Sequence, residues 1–194
     1  LFHDVGKPLT AADGHFYRHE VVGADVARST LERLHFPRST VEAVAHLVRQ
    51  HMFHYEPSWS DAAVRRFLGK VRPAAVEDLF ALRAADNIGS GVAPEADDLP
   101  ALRARVAAEL AAGPLLDRSA LAIDGTDVIR ELGVAPGPEV GRVLELLFER
   151  VVEDPRLNER STLLAIGREV AGQRDAPPND PRPPTAPSAA DPRQ

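Results

Sequence analysis

Cysteine is absent from this chain, and methionine and tryptophan occur once each. Without thiols there is no disulfide and no thiolate metal site, so any bound metal must use nitrogen and oxygen donors from His, Asp and Glu. Aromatic residues make up only 5%, while Ala, Leu, Val and Arg are plentiful, a balance that favours helices over sheets. No apolar run approaches the ~18 residues that cross a bilayer. Asp4 and Lys7 interrupt the only apolar start a secretory leader could use. The expectation is a cytoplasmic protein without a membrane partner. The formal net charge of −6 argues against a broad nucleic-acid-coating surface, though it permits a local basic patch.

With 194 residues, the chain can form one full domain and a smaller one around sizeable cores. Ala24, Ala27, Leu31 and Leu34 recur at steps of three and four, predicting an amphipathic helix over 19–34 that ends before Pro37. Ser39 and Glu42 have capping-box spacing for a helix opening at Thr40, with Val41, Val44, Val48 and His51 on its apolar line. Asp61 can cap a third helix carrying Val64, Phe67, Leu68 and Val71. Pro73 suits the first turn of a fourth, whose face through Ala75, Leu79 and Leu82 continues to Asp86.

Gly89, Gly91 and Pro94 break that pattern. A helix follows over 100–112, with a boundary at Gly113–Pro114. Residues 115–136 read as a loop and short helix with a turn at Asp124–Gly125. Further helices are expected from Pro138 to about Val152, with Val140, Leu144, Leu147 and Val151 inward, and over 158–171. From Gln173 the Pro-, Ala-, Asp- and Arg-rich sequence lacks periodicity and is expected to be disordered.

All seven histidines lie between positions 3 and 54. His51 falls on the apolar line of its helix, whereas His46 lies about 140° around it, at 100° per residue. An inward imidazole needs a partner, either a metal or a backbone carbonyl. Asp86 poses the same choice at the end of its apolar stripe: a divalent cation, or a cap for the next turn. His3 and Asp4 are an adjacent imidazole and carboxylate that can reach one ion where a helix ends, an ending Gly6 and Pro8 can supply.

The octet Leu1-Phe2-His3-Asp4-Val5-Gly6-Lys7-Pro8 resembles the signature of the HD superfamily of metal-dependent phosphohydrolases. Downstream, Arg18-His19-Glu20, Gly23-Ala24, Leu47-Val48 with His51, and Ala85-Asp86 agree with that resemblance. The runs Phe16–Leu34, Trp59–Phe67 and Ala85-Asp86-Asn87 are similar to the HD region of bacterial tRNA nucleotidyltransferases, the CCA-adding enzymes and related poly(A) polymerases. Leu121–Val128, Leu132-Gly133, Pro136-Gly137-Pro138, Gly141, Asn158 and Leu163-Leu164 resemble the helical RNA-binding region that follows in that family.

The resemblance implies an all-α chain: an N-terminally truncated HD domain over 1–112, a helical RNA-binding region over 113–172, and the tail 173–194. It implies His3, Asp4, Asp86, His19 and His51 as ligands of a divalent metal, with Mg, Mn, Ni, Co and Fe all suited to such donors. Metals so held activate water and polarise phosphoryl oxygens. Asp4 and Lys7 are the expected catalytic pair, Lys7 donating to a phosphate oxygen. Arg65 and Arg66 are candidate phosphate contacts, although as helix neighbours they cannot share one face and at most one is expected to reach the site. The Gly137-Pro138-x-x-Gly141 helix start is a candidate seat for an RNA phosphate, or simply a tight turn.

The expected substrate is tRNA or a nucleotide phosphate ester. The family's nucleotidyltransferase head has no counterpart here and is the expected missing N-terminal partner, since the motif begins at the third residue; this chain alone is not expected to add nucleotides. A non-catalytic RNA-binding scaffold and a free-standing HD-type nucleotidase are the alternatives.

Overall fold

The structure is a computed structural model that describes residues 2–92, 98–113 and 117–172. The expected chain break at Pro94, the proline of the Gly113–Pro114 boundary and the tail from 173 lie outside those residues. Among the described residues the fold is all-α apart from one two-stranded hairpin. None of their helices is long and apolar enough to cross a membrane.

A short helix α1 (Lys7–Thr10) leads into strands β1 (Ala11–Ala12) and β2 (His15–Phe16), paired antiparallel with Ala11 opposite Phe16. Helices α2 (His19–Arg33) and α3 (Arg38–Gln50) then form an antiparallel pair. Their interface is lined by Ala24, Ala27 and Val48, small enough for close approach. That pairing brings the start of α2 beside the end of α3. It fixes the site.

Helices α4 (Asp61–Val71), α5 (Pro73–Gly89) and α6 (Leu99–Ala111) enclose the main core of Val64, Leu68, Leu79, Phe80 and Leu102, all fully buried. Each such Leu or Phe contributes about 2–3 kcal/mol through burial. A separate core of Val128, Leu147, Val151 and Leu163 joins α7 (Gly125–Leu132), α8 (Pro138–Glu153) and α9 (Arg160–Gly172).

Several local expectations are corrected. Ser39 is not a cap: α3 starts two residues earlier than expected, behind Pro37, and Glu42 pairs instead with Arg28 on α2. Ser60 rather than Asp61 caps α4, accepting from the Ala63 amide at 3.2 Å. Asp124–Gly125 is not a turn. Asp124 is the N-cap of α7 and forms a reciprocal capping box with Asp127. Leu34 is exposed because α2 ends one residue before it.

Gly6 and Pro8 start a helix instead of ending one, since proline suits a first turn that needs no intrahelical N–H. Gly6 also has a packing role. A Cβ there would lie 2.2 Å from the His19 carbonyl oxygen and 2.7 Å from the Gly23 amide nitrogen. Only hydrogen fits between the opening turn and α2.

Candidate metal centre

Three chain segments meet at one point: the opening turn held on α2 by Gly6, the facing ends of α2 and α3, and the last turns of α5. His3 Nε2 lies 3.3 Å from Asp4 Oδ2 and 3.2 Å from Asp86 Oδ1. On the other side of the same carboxylate, Asp4 Oδ1 lies 3.5 Å from His19 Nε2 and 3.8 Å from His51 Nε2. Two three-donor groups result, Asp4–His19–His51 and His3–Asp4–Asp86, each with its donor atoms within 4.8 Å of one another. Asp4 belongs to both.

His19 and His51 are buried and face each other, Nε2 to Nε2, at 3.3 Å. The Nδ1 of His19 lies 2.9 Å from the Phe16 carbonyl oxygen, and the Nδ1 of His51 lies 2.7 Å from the Val48 carbonyl oxygen. A carbonyl can only accept, so both Nδ1 atoms carry protons. In the neutral rings both Nε2 atoms are therefore lone pairs, turned toward each other and toward a carboxylate. Lys7 offsets the carboxylate from its far side, but between the two facing lone pairs there is no positive charge.

A proton on one ring could supply that charge, but burial pushes the His51 imidazole below its ordinary pKa, and its neighbours His19 and His3 push the same way. A divalent cation fits better. Two metal–nitrogen bonds of about 2.0–2.1 Å meeting at tetrahedral or octahedral angles hold their nitrogens about 2.8–3.4 Å apart, and 3.3 Å lies within that interval. His3 offers a second sign, because its Nδ1 is buried without a hydrogen-bond partner among the described residues. The donor set, imidazole and carboxylate, suits Mg, Mn, Fe, Co or Ni.

Lys7 donates to Asp4 Oδ2 at 2.6 Å. Burial raises the Asp4 pKa, but the Lys7 hydrogen bond and the nearby cationic groups outweigh it, and the carboxyl ends below its ordinary range. Asp86 does not cap a turn with its side chain; the Ser90 amide bonds to its backbone oxygen. His51 has the carbonyl partner that the sequence reading allowed, at Nδ1, while its Nε2 faces the cluster.

The remaining candidates lie elsewhere. Arg65 is buried and points to α8, donating to the carbonyls of Val152 and Glu153 and to both Glu109 carboxylate oxygens. Arg66 pairs with Glu149 and Glu153. Neither therefore reaches the cluster: one buried and one exposed, the two neighbours both reach the C-terminal end of α8 through their long side chains. Gly137 caps α8 with φ 152°, and Glu139 occupies its first turn. The Gly141 carbonyl accepts from Arg118 at 3.4 Å. His46 bonds the Val71 carbonyl at 2.7 Å, and His15, His35 and His54 are exposed.

Two contributors escaped the sequence reading: the carbonyls of Phe16 and Val48, which fix the ring tautomers. Their signal was a shared spacing, each lying three residues before its histidine.

Helices that gather three imidazoles and two carboxylates at one point define the class: an all-α domain with a candidate cation site. Comparison with known proteins gives the family. Residues 19–166 match the family model for tRNA nucleotidyltransferase domain 2, and the chain belongs to that family. The match includes His19, His51 and Asp86 and begins after His3 and Asp4. The CC-adding tRNA nucleotidyltransferase of Thermus thermophilus is 40% identical over 160 residues, covering 79% of this chain and 35% of that protein. The A-adding tRNA nucleotidyltransferase of Deinococcus radiodurans is 34% identical over 158 residues, covering 77% of this chain and 36% of that protein. The chain thus spans about a third of the length of these relatives. No solved structure matches it significantly.

Proposed function

We propose that residues 1–112 are an HD-type metal-dependent phosphohydrolase domain and 113–172 an RNA-binding region, working as part of a tRNA nucleotidyltransferase whose catalytic head lies in a further segment. The observation that carries the reading is the lone-pair confrontation of His19 and His51 beside Asp4, which a divalent cation would resolve. Support also comes from the relatives, both named as tRNA nucleotidyltransferases. The substrate is then a phosphate ester on a nucleotide or on the end of tRNA.

In this reading His19, His51 and Asp4 would hold one cation, and His3 and Asp86 would join Asp4 around a second position. Bound divalent metal supplies Lewis acidity toward phosphoryl oxygen and lowers the pKa of water. The protein's own part is orientation. Carbonyls hold the rings of His19 and His51 in the tautomer that presents Nε2, and Gly6 keeps Asp4 against both. Lys7 pairs with Asp4 at 2.6 Å, and with a cation bound its ammonium would be available as a donor to a phosphate oxygen.

Hydrolysis of a nucleoside phosphate by the chain, measured with and without Mn²⁺ or Ni²⁺, tests this. Asp4→Asn is expected to remove the metal-dependent rate, by at least about a hundred-fold, since even outer-shell changes cost 10–100-fold. Asp86→Asn is expected to lower it less, as Asp86 joins only one group. Folded protein with no metal-dependent rate would leave the domain a helical RNA-binding scaffold.

A further inference from the structure

The end of the hairpin and the turn into α2 together carry a stacked aromatic pair in solvent. His15 and Tyr17 stack with ring centroids 5.2 Å apart and planes 29° from parallel, and Tyr17 is 72% exposed. The two rings flank Phe16, the last residue of β2, with Tyr17 opening the turn into α2. Phe16 turns the other way, where the Lys7 ammonium lies 5.9 Å from its ring centroid. Isolated exposed aromatics are ordinary on protein surfaces. This pair is fixed to a site.

Two tethers do the fixing. The Phe16 carbonyl accepts from His19 Nδ1 at 2.9 Å, and Lys7, which sits over the Phe16 ring, donates to Asp4 at 2.6 Å. A two-stranded hairpin is marginal by itself, so these contacts set its position relative to the cluster. Tyr17 is two residues from His19, at most about 7 Å of chain, a separation comparable with that between a base and its own phosphate. Beside it Arg18 is exposed and has no ion pair among the described residues, adding positive charge on the same rim.

We propose that the His15–Tyr17 pair is a stacking platform for the terminal base of a nucleoside phosphate whose phosphoryl group lies at the His–Asp cluster. The proposal rests on the phosphohydrolase reading and narrows its substrate from phosphate esters in general to those carrying a base next to the scissile group. Stacking accepts any base, because every base presents a π-face. The platform therefore favours a base over none without selecting one sequence.

The test uses a short RNA with a 3′-phosphate, ending either in adenosine or in an abasic ribose, and adenosine 3′-monophosphate as the free-nucleotide arm. With Mn²⁺ present, Tyr17→Ala is expected to raise KM for the adenosine-ended RNA about ten-fold, the order of one base–aromatic contact, with kcat unchanged. The abasic RNA should be unaffected, and Tyr17→Trp should restore the parent KM. An equal loss with the mononucleotide places the preference in the nucleoside phosphate itself; a loss confined to RNA places it at a strand end. Both agree with the platform. Parent protein that treats the adenosine-ended and abasic RNAs alike overturns it while leaving the phosphohydrolase reading intact. If neither the RNAs nor adenosine 3′-monophosphate is hydrolysed, that reading fails, and dissociation constants of the same RNA pair for parent and Tyr17→Ala decide the platform alone.

Discussion

His19 and His51 meet Nε2 to Nε2 at 3.3 Å, and each ring's other nitrogen is committed to a carbonyl three residues earlier in the chain. Neither ring can turn its proton toward the other without losing that bond. Two acceptors therefore face each other with no proton between them in the neutral rings.

Metal is expected to stabilise the fold through this pair. At a hundred times its dissociation constant, a ligand of the native state alone adds about 2.7 kcal/mol. Urea unfolding with Mn²⁺ or Ni²⁺ should show an increment of that order, and His51→Leu should abolish it. In chelator the same variant is expected to be at least as stable as the parent, because a buried lone-pair conflict has been replaced by apolar contact. An undiminished metal increment in His51→Leu would move the cation elsewhere.

The pH dependence of the metal-free chain has a definite sign. Burial holds the folded-state pKa of His51 below its ordinary 6.5. Between those two values the unfolded chain binds a proton that the folded chain refuses, so stability rises with pH there. His51 therefore costs nothing above about pH 6.5 and progressively more below it. Asp4, whose carboxyl lies below its ordinary 3.8, contributes stability above that pH that is lost only in stronger acid. Unfolding curves in chelator from pH 7 to 5 should lose stability in the parent, and less in His51→Leu. Identical slopes would contradict the burial argument.

The helices that build the site were legible because their apolar residues repeat at helical spacing. Val64, Phe67, Leu68 and Val71 are all buried on α4, and the line through Val41 and Val48 continues to a buried His51. The hairpin was missed, although Asp13–Gly14 carried its signal: both residues adopt positive φ, 50° and 79°, as a tight hairpin turn demands. The role of Gly6 was out of reach, since its contact partners are backbone atoms of α2, which no side-chain pattern encodes. The destination of Arg65 was hidden for a similar reason, as its acceptors on α8 lie 87 and 88 residues away.

Gly6→Ala is expected to damage the site and the fold together. The added carbon would sit 2.2 Å from the His19 carbonyl oxygen, part of the α2 backbone that cannot swing aside. The opening turn must lift, at a cost of about 2–3 kcal/mol, taking Asp4 away from both imidazoles. Gly14→Ala is the control: its φ is +79° but nothing lies within 4 Å, so only the backbone cost of about 1–2 kcal/mol is expected. Metal should still stabilise Gly14→Ala and no longer stabilise Gly6→Ala. Metal stabilisation retained in Gly6→Ala would show that Asp4 is not held by this contact.

Arg65 and Arg66 stand side by side yet are expected to differ sharply when truncated. Arg65 is buried, and its guanidinium serves the end of α8 through the carbonyls of Val152 and Glu153 at 2.8 and 3.2 Å, while gripping Glu109 on α6 at 3.0 and 3.1 Å. Removing it strands a mostly buried carboxylate and uncovers carbonyls at a helix C-terminus that a cation favours. Arg65→Ala should cost about 3–5 kcal/mol, and Arg65→Lys should recover little of that, since an ammonium cannot reproduce a planar fork. Arg66 pairs with Glu149 and Glu153 in solvent, and Arg66→Ala should change stability by less than about 1 kcal/mol. Because the Arg65 contacts link the α4–α6 core to the α7–α9 core, its loss should also split urea unfolding into two steps. A single cooperative transition in Arg65→Ala, displaced by less than about 1 kcal/mol, would mean that other contacts hold the two cores together.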